Sequence, residues 1–173
     1  NISFFSLQKI HHHPIHFGIG SLVVSKNKDE LESITRKLFS SIKYKGIGSA
    51  EFKIDDRDGK FKLIEINPRY WQQNSLAYKC GINFPLIDYL DAVDRQVVFE
   101  NTFQDDIKWV NLNLDYNSYC DYRKEGSLTL LQWLNDLKGK KVISYLDLKD
   151  PKIFLIHLYR LFIRKLNRIV KNK

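Results

Sequence analysis

Apolar and polar positions alternate most clearly in two short runs. Ala50-Glu51-Phe52-Lys53-Ile54-Asp55 alternates, and so does Lys62-Leu63-Ile64-Glu65-Ile66-Asn67. Between them, Asp56-Arg57-Asp58-Gly59 has the composition of a tight turn, and Pro68 ends the second run. The pattern predicts a hairpin of residues 49–55 and 61–67. A different period governs residues 29–43. Leu31, Ile34, Leu38, Phe39 and Ile42 recur at three and four, the spacing of one helix face, with Asn27 as the expected cap and Gly46 and Gly48 beyond the end.

The remaining elements follow from the same signals. Residues 15–25 read as a strand entered through a turn at Gly18 and Gly20. Residues 72–80 read as a short helix stopped by Gly81, and Pro85 starts another to about Val93. Residues 108–114 alternate as a strand. A helix over 127–138 closes at Gly139, Lys141 to Leu146 is a further strand, and Asp150-Pro151 opens a last helix to about Val170. The expected class is α+β, an antiparallel sheet with flanking helices. No internal repeat is evident.

Composition narrows the class. The chain has 173 residues, 43% hydrophobic and 28% charged, which suits a packed core rather than disorder. Net charge is +8, but residues 151–173 hold seven basic residues and no acid, leaving +1 for the rest. The basic character therefore belongs to the tail. Cys80 and Cys120 lie far apart and form neither a metal-binding nor a disulfide pattern. No leader is visible, and the apolar stretches fall short of the roughly 18 to 20 residues of a membrane span. A cytoplasmic protein is expected, with peripheral membrane attachment as the alternative. The chain lacks methionine and starts at Asn1, so it is expected to be a fragment.

The hairpin carries the candidate chemistry. Strand side chains alternate, so Glu65, Asn67 and Arg69 share a face if the extended run reaches Arg69. A turn centred near Asp58 pairs Asp55 with Phe61, Lys53 with Leu63 and Glu51 with Glu65, leaving Phe52, Ile54, Ile64 and Ile66 as a core side. Two carboxylates directly opposite are destabilising. Lys53 is one pair away and Arg69 lies beyond Asn67, so the pair is expected to be uncompensated. A cation between them resolves the conflict, and carboxylate and amide oxygens suit Mg²⁺, which keeps waters and takes phosphate oxygens. Taken alone, an E-x-N on a strand is more often just a solvated face.

Three blocks in order remove the ambiguity. Gly48-Ser49-Ala50-Glu51-Phe52, Leu63-Ile64-Glu65-Ile66-Asn67-Pro68-Arg69 and Cys80-Gly81-Ile82-Asn83-Phe84-Pro85 together resemble the end of an ATP-grasp domain. That superfamily includes biotin carboxylase, D-alanine–D-alanine ligase and carbamoyl-phosphate synthetase. The stretch Arg69-Tyr70-Trp71 resembles its carboxylate–amine ligase-like branch. The resemblance covers about residues 46–90. It implies that residues 1–95 are an incomplete C-terminal ATP-grasp subdomain and 96–173 an α/β extension ending in a basic helix. It implies Glu51, Glu65 and Asn67 as Mg²⁺ ligands and Arg69 as the catalytic contact to transferred phosphate. Gln8-Lys9-Ile10 is similar to the tail of the hinge beside adenine, which makes Lys9 a candidate nucleotide contact. The implied partners are ATP, a carboxylate substrate and an N-terminal subdomain outside this chain, without which the fragment is expected to be inactive.

Other residues receive plainer readings. His11, His12, His13 and His16 are expected in a polar loop, with metal or phosphate binding as the alternative. Tyr70 and Trp71 are read as packing, Asp88 and Asp91 as solvated, and the cysteines as inert. In the tail, His157, Arg160, Arg164, Asn167, Arg168 and Lys171 fall within about 100 degrees of a helical wheel, and apolar residues cover much of the remainder. Such a helix suits docking within the intact protein, pairing in a homodimer, or an anionic membrane surface touched through 153–171. The competing function is a non-catalytic basic module on membrane or nucleic acid, although no specific nucleic-acid motif is present.

Overall fold

The computed structural model describes residues 2–97, 102–147 and 149–171; of residue 162 and residues 164–171 it describes the helix backbone alone. Its elements, in order, are β1 (Leu7–His13), β2 (Ile19–Ser25), α1 (Asp29–Ser41), β3 (Ser49–Ile54), β4 (Phe61–Asn67), α2 (Asn74–Lys79), α3 (Phe84–Ala92), β5 (Lys108–Val110), α4 (Leu112–Glu125), α5 (Leu130–Asp136), β6 (Lys141–Ile143) and α6 (Lys152–Lys171). The fold is α+β. Four strands form one sheet in the order β1-β2-β5-β6, and β3 and β4 form a second sheet of two. Strands β1, β2 and β5 are antiparallel neighbours, while β6 runs parallel to β5.

Strand β2 is central, and Gly20, Ser21, Leu22 and Val23 on it are buried. A strand covered on both faces loses its alternation. The core beside it joins Val23, Leu76, Cys80, Ile107 and Trp109, and a second cluster joins Ala77, Ile82 and Phe84 with Trp71 against it. The Trp109 indole N–H donates to Ser75 Oγ at 3.0 Å. Strands β5 and β6 come from the segment expected to be an extension, yet they share a sheet with β1 and β2.

Two expectations fail around this sheet. Residues 7–13 form β1, so His11, His12 and His13 lie on a strand and not in a loop. The link to β2 is tight: a Cβ at Gly18 would lie 2.1 Å from the His13 carbonyl carbon. The strand expected over 108–114 stops at Val110. Asn111 turns the chain, its side chain accepting the Leu114 N–H at 3.2 Å, and α4 begins. Gly126, at φ 80, ends that helix after Arg123 and Lys124, cations suited to a helix C-terminus. The helix was hard to read because its buried stripe is Asp115, Ser118 and Tyr119, which has helical spacing but little hydrophobicity. At the start of α1 the N-cap position is Lys28 without a side-chain bond, and the expected cap Asn27 instead donates its backbone N–H to Asp105 at 2.7 Å.

The hairpin forms with one adjustment. Its turn sets Ile54 opposite Phe61 and Lys53 opposite Lys62, one residue off the expected register. An irregularity between Glu51 and Phe52 places an extra residue on β4, as a β-bulge does, and restores the register. Glu51 therefore does face Glu65. The expected core side does not form: Ile54 is exposed and Ile64 is 62% exposed, because the hairpin is a separate sheet whose apolar side meets little of the body.

Candidate functional site

Glu51 on β3 and Glu65 on β4 are direct cross-strand partners, and Ser49 faces Asn67 two residues further along. Asn67 donates from Nδ2 to Glu65 Oε1 at 2.6 Å. This leaves the amide oxygen of Asn67 free of that bond. The hairpin is not uncompensated, however. Lys9 Nζ on β1 donates to Glu51 Oε2 at 2.5 Å. Strand pairing could not foretell this contact, since 42 residues separate the two. Both side chains keep partial solvent access, so the pair orients more than it stabilises.

Arg69 departs from the expected face. The strand ends at Asn67, Pro68 follows, and the Arg69 N–H donates to the Asn67 carbonyl at 2.9 Å, which folds the chain back. The exposed guanidinium reaches the Tyr70 carbonyl at 3.5 Å. Next to it, the Tyr70 hydroxyl donates to Asp88 Oδ2 at 2.9 Å, so Asp88 is a partner rather than a solvated position. Burial, then the Asp88 acceptor and its charge, push the Tyr70 hydroxyl up to about 12. Trp71 packs edge-on against Phe84, with ring centres 5.2 Å apart.

The histidines separate into distinct roles. His11 is 4% exposed, with Nδ1 2.9 Å from Asp115 Oδ1 and Nε2 3.2 Å from Asp136 Oδ2. Burial alone would lower its pKa, but Asp115 and then Asp136 outweigh it, and the net shift is upward. Asp115 is fully buried and accepts from Ser21 Oγ at 3.0 Å and from Trp133 Nε1 at 2.8 Å as well. His12 is held below its ordinary value by burial, and then by the charge of Lys9. His16 sits on the surface against Glu125, 2.9 Å from Oε1, and this bond lowers the Glu125 pKa. Cys80 is buried, which pushes its thiol up and away from reactivity. The sequence reading missed Asp115, Asp136 and Trp133. The Asn111 cap and the Gly126 stop were the available signals for the first.

Donor chemistry decides what the hairpin could hold. Among the described residues, no three His, Cys, Asp or Glu side chains are grouped so as to hold a metal ion. Two carboxylates and one amide oxygen therefore offer a partial shell. This fits Mg²⁺, which retains waters and takes substrate phosphates, better than a metal needing a full protein cage.

Residues 8–88 match the model of the family described as carbamoyl-phosphate synthase L chain, ATP binding domain. The matched span includes Lys9, Glu51, Glu65, Asn67 and Arg69. No curated protein and no solved structure matches the chain. The segment is similar to an ATP-binding domain of the ATP-grasp, ligase type.

Proposed function

We propose that Glu51, Glu65 and Asn67 hold Mg²⁺ together with the polyphosphate of ATP, in a ligase that joins a carboxylate to an amine. The observation that carries this reading is the direct pairing of Glu51 with Glu65, with Asn67 at hydrogen-bond distance from Glu65. Facing carboxylates repel, and a divalent ion is the natural occupant. Mg·ATP supplies the phosphoryl group that activates the carboxylate as an acyl phosphate, open to attack by the amine.

Within this chain, the residues position and neutralise charge. Lys9 orients the Glu51 carboxylate and contributes a positive charge beside the phosphates. Arg69, exposed beyond the end of β4, is the residue we assign to the transferred phosphate. Positioned cations of this kind lower the cost of charge that develops during phosphoryl transfer. Catalysis in this reading also needs a further subdomain that covers the nucleotide from the other side, so the chain alone binds Mg·ATP without turning it over.

Calorimetric titration of the chain with ATP, with and without Mg²⁺, tests the reading. Binding that needs Mg²⁺ and disappears in Glu65→Gln is expected. Metal-independent binding of equal strength in both proteins defeats it.

A further inference from the structure

Helix α6 is amphipathic in an unusual way, because it has two apolar sides. One side is on the body. His157 stacks on Tyr145 with ring centres 4.8 Å apart, and Phe154 and Leu161 line a cavity with Asn111 and Ile143. The other side is open. Leu155 is 59% exposed and Tyr159 65%, and Ile153 and Ile156 are exposed as well, while Leu158 lines the cavity on the body side. Docking on the body has thus left Leu155, Ile156 and Tyr159 as an uncovered apolar strip along the first two turns.

Charge selects among the occupants of that face. Residues 151–173 carry seven basic residues and no acid, while the remainder of the chain is close to neutral. A second copy pairing through α6 would bring two such segments together, and like charges on that scale repel. A nucleic acid would satisfy the cations through its phosphates, but phosphate contacts leave Leu155, Ile156 and Tyr159 in water. An anionic lipid surface meets both demands, taking apolar side chains into the acyl boundary and basic ones at the headgroups. Among the described residues no helix is long and apolar enough to cross a membrane, so α6 would lie along the surface and not through it.

We propose that α6 is a peripheral membrane anchor, specific for anionic lipid, that holds the nucleotide-binding body at a bilayer surface. The apolar side supplies insertion and the basic side supplies lipid selectivity. The proposal is independent of the assignment of the hairpin, because no residue of the metal site takes part.

Vesicle co-sedimentation of the full chain tests it. Binding is expected to vesicles of phosphatidylcholine mixed with phosphatidylglycerol, to fall steeply with salt, and to be weak on phosphatidylcholine alone. Arg160→Ala is expected to weaken partitioning about fivefold, the effect of one basic residue near such a surface. Leu155→Asp with Tyr159→Asp abolishes it, while Leu131→Asp, at an equally open apolar position on α5, leaves it intact. Four results overturn the proposal: no binding to the anionic vesicles, equal loss with Leu131→Asp, displacement of the protein from vesicles by a short DNA duplex, or a concentration-dependent dimer abolished by the Leu155/Tyr159 variant. Far-ultraviolet circular dichroism of each variant, matching wild type, establishes that the losses are not unfolding.

Discussion

His11 Nδ1 lies 2.9 Å from Asp115 Oδ1, tying β1 to α4 across 104 residues of sequence. The bond sits where the segment that carries Lys9 meets the helix that covers it. Its partners lie deep enough that removing one of them leaves the others without water to replace it.

Asp115→Ala is therefore expected to destabilise strongly, by about 3–5 kcal/mol, as buried charged partners do when one is removed. Three donors lose their acceptor at once: His11, Ser21 and Trp133. Urea melts measure the loss. A cost below about 1 kcal/mol would show the cluster to be dispensable.

The same bond predicts a pH dependence. The His11 pKa is raised in the folded protein from its ordinary 6.5. Its stabilisation is complete below 6.5 and is lost as pH rises through the higher folded value. Thermal melts at rising pH should show that decline in wild type and a flatter profile in His11→Gln. Parallel profiles for the two proteins would assign the dependence elsewhere.

The hairpin should respond unequally to neutralisation. Glu65 faces Glu51 and is bonded to the neutral Asn67 amide, so Glu65→Gln in EDTA relieves repulsion and leaves stability equal or slightly raised. Glu51→Gln instead breaks the pair with Lys9, a part-exposed contact worth about 0–1 kcal/mol. Millimolar Mg²⁺ should raise the melting temperature of wild type, since it binds only the folded state, and raise it less in either variant. An identical Mg²⁺ response in all three proteins counts against the metal site.

Tyr70 should titrate late. Its hydroxyl is pushed up to about 12 by burial first and by Asp88 second. Ultraviolet titration of Asp88→Asn should move one tyrosine downward, part of the way to its ordinary value, because the burial contribution stays. No change in that tyrosine would mean the Asp88 bond is not formed in solution.

Much of this could be read from local pattern. The alternating runs gave both hairpin strands, and the Asp56–Gly59 turn gave a pairing in which Glu51 faces Glu65. Helix α1 followed from its apolar spacing, α3 from Pro85, and α5 ahead of Gly139. These signals are short-range: alternation, capping and turn chemistry act within a few residues, so they survive without knowledge of the rest of the fold.

The partners of the hairpin and the nature of residues 112–125 were settled only by packing. Lys9 meets Glu51 although β1 and β3 belong to different sheets, and no local rule relates residues 42 apart. Helix α4 hides because its buried face is polar, so hydrophobic periodicity, which reports ordinary burial, is silent there. The apolar side of the hairpin reads as core but stays exposed, since alternation says which residues share a face and not whether another layer covers it. Sequence fixes the chemistry within an element, and tertiary contact decides which charges meet and which surfaces stay open, because burial belongs to the whole chain.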